Sequence, residues 1–165
     1  MMRCETITNI DEDVFNNLYN HSIDAMDSGT FPWDRHNLTA PEEKRRYLLS
    51  LYNRILEMDD GLVWLFSDGD TPLLLCAGTK RGDDVRWQLG LVGPDSDGSK
   101  AYLYGTEFGE ATDAYWDSIG IAGWTLVLAE DNDTVHTAFK KRETAFNEMV
   151  DDTEISHNSY VRKVR

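Results

Sequence analysis

At 165 residues, 41% hydrophobic and 28% charged, the chain has the size and composition of one folded domain spanning 1–165, able to bury a core without disulfides or metal. Its 30 Asp and Glu against 16 Lys and Arg give a formal net charge of -14, a surface that repels nucleic-acid phosphates and anionic membranes. The acids are scattered through turns and helix faces rather than set in phosphate-like rows, which argues against a DNA mimic.

The start, Met1-Met2-Arg3-Cys4-Glu5, lacks the apolar core of a signal peptide, and no run approaches the roughly 18 apolar residues of a membrane helix. A cytoplasmic protein is expected. Cys4 and Cys76 are far apart, and Cys76 lies inside Leu73-Leu74-Leu75-Cys76-Ala77, so a buried free thiol is expected there rather than a disulfide or a nucleophile.

In chain order, Cys4 to Ile10 reads as a short strand. Asp11-Glu12-Asp13 then offers helix-starting acids ahead of the amphipathic set Val14, Phe15, Leu18, Tyr19, Ile23 and Met26, with Gly29 as a stop. Residues 30–36 are too aromatic for an inert linker and are expected to pack over a groove. Thr39-Ala40-Pro41-Glu42 has capping-box spacing and opens a second helix, whose stripe is Leu48, Leu51, Ile55 and Met58 and whose end is Asp59-Asp60-Gly61.

Three strand-like runs follow, Leu62 to Phe66, Leu73 to Thr79 and Val85 to Val92, joined by short Asp/Gly links that predict antiparallel hairpins. After the break at Gly93-Pro94 comes a third helix carrying Tyr104, Phe108, Ala111, Tyr115 and Ile119 on one face. The apolar run Trp124 to Ala129 is a buried strand handing over to a further helix. Beyond Asn132 two readings fit the periodicity. One is a single long helix through Met149; the other is a helix ending near Arg142, a strand over 144–150, a turn at Asp151-Asp152 and a last strand over 159–164.

The sum is an α/β protein with a mixed sheet, in the order strand, two helices, three-strand meander, helix, strand, helix and two strands. That order resembles the GNAT N-acetyltransferase fold along essentially the whole chain. The family's Asn-x-x-Ala-x-x-x-Tyr pattern corresponds to Asn132-x-x-Val135-x-x-x-Phe139, with Thr144-Ala145-Phe146 where a Gly-Phe often sits, and this favours the two-strand reading of the C-terminus. Met1-Met2, Asp13-Val14-Phe15 and the length and order are also similar to the small GNAT-like internal virion proteins of short-tailed podophages. That narrower likeness implies a phage protein, in the host cytoplasm or inside the virion.

The resemblance implies a site. In the GNAT fold the fourth and fifth strands splay apart and acetyl-CoA lies in the gap, which here implicates Leu89, Gly90 and Leu91 of the fourth strand, Gly98 and Lys100 at the pyrophosphate, and Asn132 and Phe139 beyond the fifth strand. The match is incomplete. The pyrophosphate pattern Gln/Arg-x-x-Gly-x-Gly/Ala reads Asp95-x-x-Gly98-x-Lys100, with Asp95 and Asp97 where anions would come, an unfavourable term on the order of 1 kcal/mol or more each. The family's acid, a Tyr, is replaced by Phe139, which has no exchangeable proton. His136 or a water would have to substitute, though a lone helix histidine is ordinarily a surface residue, and Glu130 or Glu107 would have to serve as base, the fourth strand holding no acid.

Other chemistries find less support. His21, His36, His136 and His157 are isolated, without zinc spacing, and no Walker loop, nucleophile elbow or dinucleotide fingerprint occurs. The small basic clusters Lys80-Arg81, Lys140-Lys141-Arg142 and 162–165 balance the acidic surface locally, and the last could meet an acidic partner. The sequence therefore points first to a GNAT-like, virion-associated or accessory interaction protein that binds protein partners, including other virion proteins, has lost acyl transfer and needs no cofactor. The alternative is a divergent acetyl-CoA-dependent N-acyltransferase using His136 and Glu130. A third reading is an acidic inhibitor of a basic host protein.

Overall fold

The computed structural model describes residues 1–26, 37–93, 106–128, 150–153 and 158–163. They form β1 (Met2–Thr6), α1 (Glu12–Ala25), α2 (Pro41–Glu57), β2 (Gly61–Asp68), β3 (Thr71–Arg81), β4 (Asp84–Val92), α3 (Thr106–Ser118), β5 (Gly123–Leu128), β6 (Val150–Thr153) and β7 (Asn158–Lys163). The strands make one mixed sheet in the order β1-β2-β3-β4-β5-β7-β6, antiparallel except where β4 meets β5. The expected mixed α/β order is thus present, with the segment between β5 and β6 outside the described residues.

Local chemistry sets the helix ends. The Asp11 carboxylate accepts from the N–H groups of Asp13 at 2.9 Å and Val14 at 3.1 Å, so the acidic run does open α1. At α2 the capping box does not form. Ala40 is the N-cap with no side-chain bond and Pro41 starts the helix, while Glu42 turns to Arg45, Oε1 lying 2.6 Å from one guanidinium nitrogen and Oε2 3.1 Å from Nε. A bidentate guanidinium outcompetes the back-bond to the N-cap amide.

Three other boundaries differ from expectation. The first strand is Met2–Thr6, not Cys4 to Ile10; the last bond to β2 runs from Ile7 N–H to the Val63 carbonyl at 2.9 Å, and Ile10 is buried in the core under α1 and α2 instead. The buried stripe of α2 is Leu48, Tyr52 and Ile55; Met58 has left the helix and is 40% exposed, while Tyr52 is drawn in by donating its hydroxyl to the Leu75 carbonyl at 2.8 Å. Asp151-Asp152 lies within β6 rather than in a turn, its backbone paired with Tyr160 and Val161.

The sheet separates two cores. On one face Trp64, Phe66, Leu74, Cys76, Val85 and Trp87 pack against Phe108, Tyr115 and Trp116 of α3, with Ile121 and Trp124. On the other, Val63, Leu75, Ala77 and Leu91 pack against Phe15, Leu18 and Tyr19 of α1 and Leu48, Tyr52 and Ile55 of α2. In β2, and in β3 from Leu74 onward, these sets alternate as a two-residue repeat demands. In β4 the alternation breaks: Val85 and Trp87 face α3, yet Leu89 and Leu91 face α1 and α2.

The break is a β-bulge. Opposite β3, Ala77 pairs with Leu89 and the next residue, Gly78, with Trp87, leaving Gln88 as the extra residue. Gly78 is where the backbones close up. A Cβ there would stand 2.1 Å from the Arg86 carbonyl oxygen, a main-chain atom that cannot swing aside. Gly78→Ala should lower the unfolding free energy by roughly 2–3 kcal/mol, read from the urea midpoint at unchanged slope.

Candidate functional site

The bulge coincides with a change in the neighbouring pairing. The parallel ladder between β4 and β5 runs from Asp84 opposite Gly123 to Trp87 opposite Leu126 and stops there. From Gln88 to Val92, β4 continues alongside β3 only, while Val127 and Leu128 of β5 pair with Ser159 and Asn158 of β7. The two strands therefore part at the bulge, as a locally increased twist requires.

Which backbone groups face the split follows from the antiparallel alternation of β3 and β4. Gly93 N–H donates to the Leu73 carbonyl at 2.6 Å, so Leu91 and Leu89 point their N–H and C=O at β3, and Gly90 and Val92 point theirs away from it. Gly90 is exposed and has room for a Cβ, with Leu74 Cδ1 at 3.8 Å and Trp87 Nε1 at 3.9 Å. Its backbone pair is directed into the split.

Val92 is engaged differently. Its N–H donates to Ser22 Oγ and its carbonyl accepts from the same hydroxyl, both at 2.9 Å. Ser22 is 7% exposed on the buried face of α1, one turn after Leu18. The close fit depends on Gly93, where a Cβ would stand 2.4 Å from Cδ2 of the wholly buried Leu18 and 3.0 Å from the Leu73 and Pro72 carbonyl oxygens. Ser22 carries no motif in the sequence. The available signal was a small polar residue at helical spacing among Phe15, Leu18 and Met26.

The bulge itself is braced by Trp87, whose Nε1–H reaches past Gln88 to the Leu89 carbonyl at 3.0 Å. Trp87 also stands edge-on to Trp64 and Trp124, with ring centroids 5.4 and 5.2 Å away. It therefore belongs to the α3-side core.

Of the residues implicated from sequence, Leu89, Gly90 and Leu91 sit on β4 at the split: Gly90 presents backbone to it, while Leu89 and Leu91 direct theirs to β3 and their side chains to the helices. Gly98, Lys100, Glu130, Asn132, His136 and Phe139 lie outside the described residues. Glu107 is exposed in the first turn of α3.

Nucleophilic alternatives are weak. Cys76 is fully buried and burial pushes the Cys4 thiol well up, which disfavours a thiolate at neutral pH. Burial likewise raises the Tyr115 phenol, despite its 2.8 Å bond to Thr6 Oγ1. Asp84, where β4 begins beside β5, is raised by partial burial, with Val85 N–H opposing. Among the described residues no group of three His, Cys, Asp or Glu could hold a metal ion, and no helix is long and apolar enough to cross a membrane.

The sequence matches no protein-family model and no curated protein. Solved structures do match in fold. The GNAT domain of S. lividans PAT superposes with a TM-score of 0.61 at 14% identity, covering 99% of this chain and 90% of that one. A probable acetyltransferase from Staphylococcus epidermidis gives 0.60 at 12% identity, with 100% of each chain covered. The Campylobacter jejuni N-acetyltransferase PseH, in complex with acetyl coenzyme A, gives 0.57 at 9% identity over 99% of both chains. At such identities the likeness is one of fold, that of the GNAT N-acetyltransferases.

Replacing Trp87 by Phe keeps the ring contacts and removes the bond to Leu89. Trp87→Phe should cost about 1–2 kcal/mol of stability by chemical denaturation.

Proposed function

We propose that this protein is a divergent N-acyltransferase of the GNAT type, taking acetyl-CoA or a related acyl-CoA and an amine acceptor. The split between β4 and β5, with the Gly90 N–H and C=O directed into it, carries the reading. An acyl-CoA arm contains secondary amides that can pair with such an edge as a strand would. The bound cofactor supplies an activated acyl thioester.

The residues that would hold it are Gly90 on β4 and, by resemblance, Gly98, Lys100, Asn132 and Phe139; Leu89 and Leu91, which the resemblance also implicates, direct their backbone groups to β3 and their side chains to the helices. Gly90 N–H orients a carbonyl oxygen, and positioning of this kind contributes much of the rate in an acyl transfer. His136 and Glu130 are the groups proposed to move the proton from the amine, a role that Phe139 has no hydrogen to fill.

A second reading has its own observation. Ser22 already occupies the Val92 edge, and Phe139, Asp95 and Asp97 depart from the acyltransferase pattern. These favour a GNAT-fold protein without catalysis or cofactor, acting as a virion-associated or accessory partner of other proteins in a phage-infected cell or particle.

Binding separates the two. Acetyl-CoA at 100 times its Kd should raise the melting temperature by about 5 °C or more. Gly90→Pro removes an N–H that β3 does not use and should abolish the shift without unfolding the protein, while Gly90→Ala should retain it. No shift for the wild type at millimolar acetyl-CoA, with the chain recovered in purified phage particles, would sink the acyltransferase reading and leave the second.

A further inference from the structure

We propose that Ser22 of α1 competes with the ligand for the edge of β4, so that an acyl-CoA arm engages Val92 only when the Ser22 hydroxyl turns away. The inference rests on the acyl-CoA reading above and concerns how that site is controlled. Two residues of β4 face the split, Gly90 and Val92, about 6.6 Å apart along the strand. A ligand carrying successive amides needs both positions to pair along the edge. Gly90 offers its N–H and C=O. Val92 has both groups bonded to one hydroxyl at 2.9 Å, an arrangement that imitates a neighbouring strand residue.

The contact is built into the packing of α1. Leu18 lies against Gly93 and Ser22 against Val92, so two successive residues of β4 and its exit meet two residues one turn apart on the helix. Ser22 is 7% exposed, and its oxygen is poised as donor and acceptor at once. For the ligand, exchange at Val92 is close to neutral in the wild type, since the bonds it makes replace those that Ser22 gives up. Without the hydroxyl the same bonds become a gain.

Ser22→Ala should therefore bind acetyl-CoA about tenfold more tightly than the wild type by calorimetry. The Val92 amide should exchange its hydrogen at least about tenfold faster in the unliganded variant. Adenosine 3′,5′-bisphosphate, which lacks the amide arm, should bind both proteins equally. Ser22→Thr, which keeps a hydroxyl, should behave as the wild type, and Ser22→Cys, a weak hydrogen bonder of similar size, should shift in the direction of Ala if the Ala variant does not fold. Equal acetyl-CoA affinity in wild type and variant, or weaker binding by the variant, would overturn the role of Ser22 while leaving the acyl-CoA reading intact. Absence of binding to either protein, with Val92 exchange accelerated and the fold intact, would overturn the acyl-CoA reading and the competition with it.

Discussion

A strand can serve one face of a sheet with alternate residues and no more, unless its count is interrupted. In β4 the interruption is Gln88, the residue with no partner on β3. Because of it, Val85 and Trp87 complete the α3-side core while Leu89 and Leu91 complete the core under α1 and α2. Were Gln88 paired in regular register instead of bulged, Leu89 and Leu91 would share the face of Trp87, and Gln88 and Gly90 would turn toward the α1 and α2 core. The same interruption ends the parallel pairing with β5. Division of the two cores and parting of the two strands are thus one event in the backbone.

The bulge is held from three directions. Gly78 allows the main chains to approach, Trp87 bonds across the bulge to Leu89, and the indole is fixed by Trp64 and Trp124. Beyond it, where β5 no longer covers the edge, α1 supplies a substitute through Ser22. Buried main-chain groups are rarely left unpaired, and the Ser22 hydroxyl satisfies the two of Val92 at once. A site at this place therefore combines one edge residue whose backbone groups point away from β3 with one already engaged.

Much of the fold was legible because its signals are local. The acids before α1, the Asp/Gly links of the meander and the apolar run at Trp124 each act within a few residues, and the element order they imply carries the GNAT likeness. The errors came where a distant or competing partner decides. Arg45 takes Glu42 from the capping box, Leu75 draws Tyr52 inward while Met58 is left exposed, and β2 fixes where β1 ends. Of the candidate site, the sequence offered only a location on β4. Neither the bulge at Gln88 nor the bond from Ser22 to Val92 has a local pattern, since both depend on pairing between segments far apart in the chain.

The edge-to-face indole cluster on the α3 side has an optical consequence. Of the chain's five tryptophans, Trp64, Trp87, Trp116 and Trp124 are joined by ring contacts of 5.2–5.4 Å, and all four are nearly or wholly shielded from water. Near-ultraviolet dichroism and fluorescence from these rings report on one interface rather than on the molecule at large. Since Trp87 belongs both to that cluster and to the bulge, the protein carries its own spectroscopic gauge of the place where β4 leaves β5.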